Sequence, residues 1–350
     1  MSAVADIDDL VADYMRTHQV PGVALGIQGD DRTLLRAGYG TCSRNGEPVT
    51  PRTLFHLASV TKTVVAAAVM QLVERGAMDL DAPFIQYVPS FKIADPRGAD
   101  ITTRQLLTHT SGLPDAASYN WDCPEFDDQA LDRYIASMTP LRLLAAPGER
   151  FSYSDTGFDI LGALIASVTG LSAETYIARH ILVPLAMQSS SLLLRAVDQK
   201  RLAAPHVLDE QGVPVPCAVF PYNRRHACSS TLYSNVDDML RWAGANLQGG
   251  KLDGQRILRE ETHASMWVPA VGPVHPSILR NGHIGLSWFI FNRKNIRIVG
   301  HMGQDDGFAS LLLLAPARNV AIISMANRSY DYAQAGLWEL QFKLLDRLCP

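Results

Sequence analysis

The stretch FHLASVTKTVVAAAVMQLVERG, residues 55–76, decides the fold expected for this chain. From Thr61 onward it is apolar on nearly every side of a helix, and Gly76 stands where helices commonly end. The pattern therefore predicts a buried central helix over residues 61–75. Such a helix needs a large core around it, and 350 residues suffice for two domains or one large one.

Outward from this helix, both ends of the chain are rich in predicted strands. An amphipathic helix around residues 7–14 comes first, and a polar turn at residues 29–31 indicates a hairpin. After residue 280, Gly, Asn and Pro punctuate apolar stretches that are typical of strands. The predicted strands are residues 23–27, 34–38, 285–291, 295–299, 308–314 and 320–325, and a helix over residues 333–348 closes the chain.

The middle of the chain is different, because it is rich in loops and helical patterns. Residues 104–109 and 156–169 predict helices there. We therefore expect an α/β (α+β) fold with an antiparallel sheet flanked by helices and built from both termini. The predicted boundaries are residues 1–76 and 226–350 for the α/β domain and residues 77–225 for an inserted, mainly or wholly helical domain.

Composition excludes several classes of protein. The chain has 31 Lys and Arg residues against 35 Asp and Glu residues, which argues against a nucleic-acid partner. It has no apolar run of the roughly 18 residues that cross a bilayer, and its first residues lack a basic leader, so we expect a cytoplasmic protein without a membrane partner. The cysteines, never spaced C-x-x-C, indicate neither a disulfide framework nor a zinc site.

Ser59 and Lys62 are the first candidate catalytic residues. A serine needs a base within hydrogen-bond reach, and the i, i+3 spacing places Lys62 beside Ser59 on the first helical turn. Burial lowers the pKa of such a lysine and favours the neutral amine. The N–H groups at the helix start could also stabilise an oxyanion. The alternative is a helix-capping serine beside a solvated lysine.

Two further stretches favour the catalytic interpretation. Residues 147–157, PGERFSYSDTG, place Tyr153 in a tight loop just before a helix, and residues 300–308, GHMGQDDGF, place His301 between glycines. In this order and spacing, the chain resembles the serine β-lactamase and penicillin-binding-protein superfamily, in its class C β-lactamase, DD-peptidase and esterase branch. That family orders its motifs as S-x-x-K, Y-x-N and K-T-G or H-x-G. The resemblance extends over roughly residues 8–348 and includes LLTHTSGL at residues 106–113.

The resemblance implies a role for each matching residue. Ser59 would be the acylated nucleophile, Lys62 its base partner, and Tyr153 the hydroxyl that relays protons, with a pKa lowered by cationic neighbours. His301 matches the basic head of the third motif. The backbone N–H groups of Ser59 and Gln304 would form the oxyanion hole, and Gly303 would leave room for substrate along the strand.

Asp155 departs from the family pattern, which has asparagine there. A carboxylate only accepts hydrogen bonds, so Asp155 is expected to hold Lys62 protonated and to shift the base role toward Tyr153. The alternative is that Asp155 merely caps the following helix.

Other residues are weaker candidates. Tyr119 and Trp121 lie where relatives shape the acyl pocket, with simple packing as the alternative. Arg225 belongs to a basic cluster, residues 224–226, that could bind an acidic group of a substrate or simply be solvated. His109, within LLTHTSGL, is expected to be structural.

The predicted function is that of a serine hydrolase of the esterase or peptidase type. Ser59 would attack the ester, amide or lactam carbonyl of a small molecule and form an acyl-enzyme that water resolves. No metal or organic cofactor is implied. The alternatives are an acyltransferase of the same fold, which passes the acyl group to an amine or alcohol, and an acylated binding protein without turnover. Neither the natural substrate nor the oligomeric state is predicted.

Overall fold

A computed structural model describes residues 5–43, 45–274, 282–330 and 336–349. The helices in these residues are α1 (Ala5–Thr17), α2 (Thr61–Glu74), α3 (Thr103–Leu107), α4 (Ala130–Ser137), α5 (Asp155–Thr169), α6 (Ala173–Ile177), α7 (Ala227–Ser230), α8 (Val236–Leu247), α9 (Glu260–Met266) and α10 (Leu337–Leu348). The strands are β1 (Gly22–Gly29), β2 (Arg32–Gly40), β3 (Phe55–His56), β4 (His206–Leu208), β5 (Pro214–Pro216), β6 (Tyr233–Ser234), β7 (Lys251–Leu252), β8 (Gln255–Arg256), β9 (His283–Ile284), β10 (Phe289–Arg293), β11 (Ile296–Asp305), β12 (Phe308–Ala315) and β13 (Val320–Ala326).

The main sheet has seven strands in the order β2-β1-β13-β12-β11-β10-β9. Every neighbouring pair is antiparallel, and β1 from the N-terminal part pairs with β13 from the C-terminal part. The prediction of an antiparallel sheet built from both ends of the chain is therefore confirmed.

Both faces of this sheet are covered, which explains why β12 is apolar at almost every position. Successive side chains of a strand point to opposite faces. Leu311 and Leu313 pack in the core beneath α1 and α10, whereas Leu312 and Leu314 pack in the core that also holds α2 and α8. The second core is continuous from the sheet to α5, so the sheet and the helices bury one large apolar volume.

The segment between residues 77 and 225 contributes the helices α3 to α6, and much of the rest of it lies in loops and turns. It is not wholly helical, because β4 and β5 pair as a short antiparallel hairpin. Among the described residues no single helix is long and apolar enough to cross a membrane, and α5 with Ala173–Leu182 passes such a test only as a pair bent by 75°.

Two predicted strands differ from the observed ones. The strand predicted over residues 285–291 begins only at Phe289, because residues 285–288 form the turn between β9 and β10. The Gly285 N–H donates to the carbonyl of Trp288 at 2.8 Å, and Ser287 has a positive φ. The strand predicted over residues 295–299 continues to Asp305, because β12 supplies hydrogen-bond partners throughout. The start predicted for the closing helix, Ala333, lies outside the described residues.

Candidate active site

Ser59 is held at the start of α2 by contacts on both sides. The preceding strand β3 pairs with β6, and the Leu57 N–H donates to the carbonyl of Leu232. Ala58 has a φ of +45°, a conformation uncommon for a residue with a Cβ and often found at functional sites. This sharp turn places Ser59 in the wall of a cavity of about 900 Å³.

Lys62 lies fully buried one helical turn after Ser59. Its Nζ donates to Ser59 Oγ at 2.8 Å and to the carbonyl oxygen of Ser229 at 2.7 Å. The third partner of Nζ is Asp155 Oδ1 at 2.5 Å. The first two contacts are hydrogen bonds, and the third is an ion pair that compensates the buried charge of the ammonium.

The charge of Lys62 differs from the expectation based on burial alone. Burial lowers the pKa of Lys62, but the carboxylate of Asp155 and the nearby Tyr153 raise it by more, so the pKa lies above its usual value. The expectation that burial yields a neutral amine is therefore wrong for this protein. The expectation that Asp155 holds Lys62 protonated agrees with this direction.

Tyr153 completes the group around Ser59. Its side chain lies beside Ser59 and Lys62 in the cavity, and Lys62 Nζ lies 5.1 Å from the centre of its ring. Burial raises the pKa of Tyr153 by more than the lysine lowers it, with Asp155 adding to the increase. Contrary to the expected lowering, Tyr153 is thus a neutral phenol at rest. The His109 ring stacks on the Tyr153 ring with their centres 4.1 Å apart, and His109 Nδ1 accepts the N–H of Ser154 at 3.1 Å. These contacts give His109 a structural role beside Tyr153.

His301 lies on β11 and lines the same cavity, with 1% of its surface exposed. Its Nδ1 is 2.5 Å from the carbonyl oxygen of Met302, so Nδ1 carries the proton and Nε2 is left as an acceptor. Burial and the charge of Lys62 lower the pKa of His301 to about 3. Although it stands in the position of a basic residue, His301 is a neutral imidazole near pH 7.

This burial predicts a pH-dependent stability. Unfolded His301 takes up a proton below about pH 6.5, whereas folded His301 resists protonation until about pH 3, so its contribution to stability is lost as the pH falls through that window. Between pH 7 and about pH 5, wild type should therefore lose roughly 2 kcal/mol more of its free energy of unfolding than His301→Gln, which lacks the titrating imidazole. Urea unfolding at both pH values measures this. Equal losses in the two proteins would contradict it.

The strand edge beside Ser59 is open. β10 pairs with β11 only as far as Gly300, while residues 301–305 continue to pair with β12 on the other side. Asp305 and Phe308 close a two-residue hairpin, and hydrogen-bonded pairs alternate along such a ladder. Gln304 therefore directs its backbone N–H toward the free edge, where an oxyanion donor is required.

Gly303 has a steric reason to be glycine. A Cβ at this position would lie 2.1 Å from the carbonyl oxygen of Leu57 and 2.9 Å from the backbone nitrogen of Ser59. Ser310, its partner on β12, donates its hydroxyl to the same Leu57 carbonyl at 2.7 Å. β11 thus passes directly against the turn that carries Ser59, with no space for a side chain between them.

Aromatic and acidic side chains form another wall of the cavity. The rings of Tyr119 and Trp121 stack with centres 4.9 Å apart, and the Tyr119 hydroxyl donates to Asp155 Oδ2. Asp155 also opens α5, and its own N–H donates to Asp115 Oδ1 at 2.8 Å. The helix cap is Ser154, whose hydroxyl accepts from Gly157, so the alternative that Asp155 acts as the cap is not what the structure shows.

Arg225 is not one of the described residues that line this cavity. Its guanidinium instead lies 5.1 Å from the ring centre of Tyr134, and its Nε donates to His226 Nε2 at 3.2 Å. It supports the aromatic wall from behind, since Tyr119 and Trp121 also contact the His226 ring.

Sequence reasoning missed several residues that build the site. Ser229 supplies a carbonyl to Lys62, Asp115 receives the N–H of Asp155, and buried Asn223 donates its amide to the carbonyls of Tyr119 and Asn120. No local pattern marks them, because each acts on a residue distant in sequence. In their neighbourhood, the sequence pattern indicates only the basic cluster at residues 224–226.

The antiparallel sheet and the helices around it define a class of protein, those with the β-lactamase and transpeptidase fold. The sequence model of the Beta-lactamase family matches residues 7–344. The chain belongs to the Beta-lactamase family, which supports serine hydrolase chemistry in general.

Individual relatives agree with this membership. Penicillin-binding protein 4 of Amycolatopsis lactamdurans is 30% identical over 328 residues, covering 90% of this chain and 83% of that protein. Protein flp of Staphylococcus aureus strain MW2 is 26% identical over 93% of this chain, which spans only 63% of flp. The octameric penicillin-binding protein homologue from Pyrococcus abyssi superposes with a TM-score of 0.86 at 28% identity, covering 98% of this chain and 78% of that one.

Proposed function

We propose that this protein is a serine hydrolase of the esterase or amidase type, which opens ester, amide or lactam carbonyls through an acyl-enzyme on Ser59. The observation that carries the proposal is the 2.8 Å hydrogen bond between Lys62 Nζ and Ser59 Oγ, beside the open edge of β11. A nucleophile, its proton acceptor and two oxyanion donors then meet at one point of the cavity.

Acylation begins with attack of Ser59 Oγ on the carbonyl carbon. The new C–O bond forms as the carbonyl electron pair moves to oxygen, where the N–H groups of Ser59 and Gln304 stabilise the negative charge. The Ser59 proton passes to Lys62 Nζ while Lys62 passes one of its own to Asp155 Oδ1, 2.5 Å away. The Lys62–Asp155 pair thereby gains one positive charge, which balances the negative charge of the oxyanion.

Tyr153 then completes the transfer. When the bond to the leaving group breaks, the phenol donates its proton to that group and receives one from Lys62, whose Nζ lies 5.1 Å from the centre of the phenol ring. Asp155 returns its proton to Lys62, and the acyl group stays on Ser59. Water repeats the sequence on the acyl carbonyl, which releases the acid and restores the Ser59 hydroxyl.

Asp155→Asn tests the role of Asp155. In this variant Lys62 has no internal proton acceptor and must lose its proton to solvent before it can act as base, so the acid limb of kcat/KM should move to higher pH. At the acidic end of the pH profile, kcat/KM of Asp155→Asn should be about 10-fold to 100-fold below that of wild type, within the range of general-base contributions. A steady-state pH profile of both proteins measures it, and an unchanged profile would rule out a proton-accepting role for Asp155.

Intact-mass spectrometry tests the function itself. The protein is exposed briefly to p-nitrophenyl esters, a penicillin, a cephalosporin and a D-amino-acid amide, and released product is followed in parallel. An adduct equal to the acyl group, mapped to the peptide that contains Ser59, is expected with at least one donor. Free acid identifies a hydrolase, and transfer to an added amine or alcohol at the expense of free acid identifies an acyltransferase. Absence of both adduct and product with every donor would overturn the proposal.

A further inference from the structure

The two expected oxyanion donors belong to different segments of the chain. The Gln304 N–H lies on β11, whereas the Ser59 N–H lies in the turn that follows β3. Both donors can stabilise one oxygen only when the distance between them is fixed, because a displacement of about 1 Å can cost about 100-fold in rate. The contacts that hold β11 against the Ser59 turn therefore affect the proposed chemistry.

A histidine joins these two segments. His56 lies three residues before Ser59, and its Nε2 is 2.8 Å from Oδ2 of Asp305, the residue that follows Gln304. Because a carboxylate only accepts hydrogen bonds, His56 Nε2 is the donor. Among the described residues this is the only side-chain hydrogen bond between β11 and residues 55–62.

The His56–Asp305 hydrogen bond is shielded from water. The His56 side chain is fully buried, and that of Asp305 is 9% exposed. The His56 ring packs against the rings of Tyr233 and Phe308, with centres 5.3 and 5.8 Å away. His56 Nδ1 is buried without a partner in the described part of the chain, so Asp305 alone orients the ring by hydrogen bonding. Such a bond is not readily exchanged for one to water.

The strand geometry directs Asp305 toward the Ser59 turn. Side chains two residues apart on a strand share a face, so Asp305 projects from the same face as Gly303, which lies against Leu57 and Ser59. Gly303 limits how closely β11 can approach that turn, but it has no side chain with which to bond to it. The hydrogen bond from His56 limits how far the two segments can separate.

Gln304 is also restrained on the opposite face of the strand. Its side-chain Nε2 donates to the carbonyl of Tyr330 at 2.7 Å, and the Tyr330 N–H donates to Gln304 Oε1 at 3.3 Å. β11 is thus held at Gln304 from one face and at Asp305 from the other. The direction of the Gln304 backbone N–H depends on both contacts.

We propose that His56 and Asp305 are positioning residues, whose hydrogen bond sets the distance between the Ser59 and Gln304 N–H groups. The inference rests on the proposed function, because it concerns the acylation step of the same site. Asp305 also lines the cavity, so the alternative is that its charge acts on the substrate directly. Asparagine at this position separates the two, since its side-chain oxygen accepts from His56 but carries no charge.

Single-turnover acylation by p-nitrophenyl acetate tests the inference. Asp305→Ala should lower the acylation rate constant by about 10-fold to 100-fold and change the half-saturating concentration by less than about threefold, because the oxyanion forms only after binding. Asp305→Asn should stay within about threefold of the wild-type rate constant. Equal losses in the two variants would assign the effect to charge, and a wild-type rate in Asp305→Ala would show that the hydrogen bond is dispensable. Either result would overturn the inference.

His56→Phe removes the bond from its other end and carries the test if Asp305→Ala does not fold. Phenylalanine keeps an aromatic ring against Tyr233 and Phe308 but cannot donate. Its loss should match that of Asp305→Ala, and the double variant should lose no more than the larger single loss, because both remove one interaction. Losses that multiply in the double variant would contradict a shared role.

Glu339→Ala is the matched control. It removes the carboxylate of another histidine–carboxylate hydrogen bond, between His18 Nε2 and Glu339 Oε2 at 3.0 Å, and neither residue is among the described ones that line the cavity. Its acylation rate constant should stay within about threefold of wild type. An adduct on wild-type Ser59 with an unchanged rate in Asp305→Ala refutes only the inference. No adduct on wild type with this ester or any other donor refutes the proposed function, and the inference with it.

Discussion

The Ser59→Ala protein is expected to form no acyl adduct and to hydrolyse activated esters about 10⁴-fold to 10⁶-fold more slowly than wild type, as removal of a serine nucleophile does elsewhere. The physical reason is that Ser59 Oγ is the atom to which the acyl group bonds, and the surrounding Lys62 and Tyr153 only move protons. Burst and steady-state release of p-nitrophenol, with intact mass read from the same samples, measures the loss.

Ser230→Ala is the matched control for this prediction. Ser230 is buried near Ser229, and its hydroxyl has no hydrogen-bond partner among the described residues. Its removal should leave ester hydrolysis within about threefold of wild type, because no bond is lost. An adduct of full occupancy on the Ser59→Ala protein would show that another residue is the nucleophile.

Gly303→Ala has the second largest expected effect. The added Cβ would meet the Leu57 carbonyl oxygen at 2.1 Å and the Ser59 backbone nitrogen at 2.9 Å, and backbone atoms cannot rotate away. β11 must therefore move from the Ser59 turn, and the two oxyanion N–H groups no longer converge. Loss of one such donor typically costs about 10²-fold to 10³-fold in kcat, and we expect a loss of that size. Single-turnover acylation rates measure it.

Gly157→Ala controls for the chemical change in Gly303→Ala. Gly157 lies in the first turn of α5, near the site, and a Cβ there would make only ordinary contacts, the nearest 3.6 Å away. It should retain acylation. If Gly303→Ala acylates at the wild-type rate and unfolds at the same temperature, β11 does not constrain the oxyanion hole as described. If it fails to fold, the clash is confirmed, and Gln304→Pro, which removes the backbone donor itself, tests the hole separately.

Much of the framework was predictable from local pattern. The apolar stretch after Thr61 becomes α2, and the apolar stretches near both ends become the strands of the main sheet. The predictions failed where pairing decides the structure. The end of β11 was placed too early because residues 300–305 are glycine-rich and polar, and only the partner strand β12 makes them extended.

In the candidate site, too, local pattern identified some residues, whereas contacts between distant residues decided the roles of others. The motifs at Ser59, Tyr153 and His301 were identified from residue order, and the structure brings them to one cavity. The basic cluster at residues 224–226 suggests a substrate-binding role for Arg225, but the Arg225 guanidinium packs behind the aromatic wall. Asp115 was overlooked, because its importance depends on a contact with Asp155, 40 residues away.

The sequence by itself determined which chemical groups are available and in which order they occur, since side-chain type and local periodicity are properties of the chain. Only the tertiary structure decided their charge. Lys62 is an ammonium because a distant carboxylate outweighs its burial, and His301 is neutral because burial and that ammonium oppose a second positive charge. Electrostatic energies depend on distance and on exclusion of water, and both are set by packing between residues far apart in the chain.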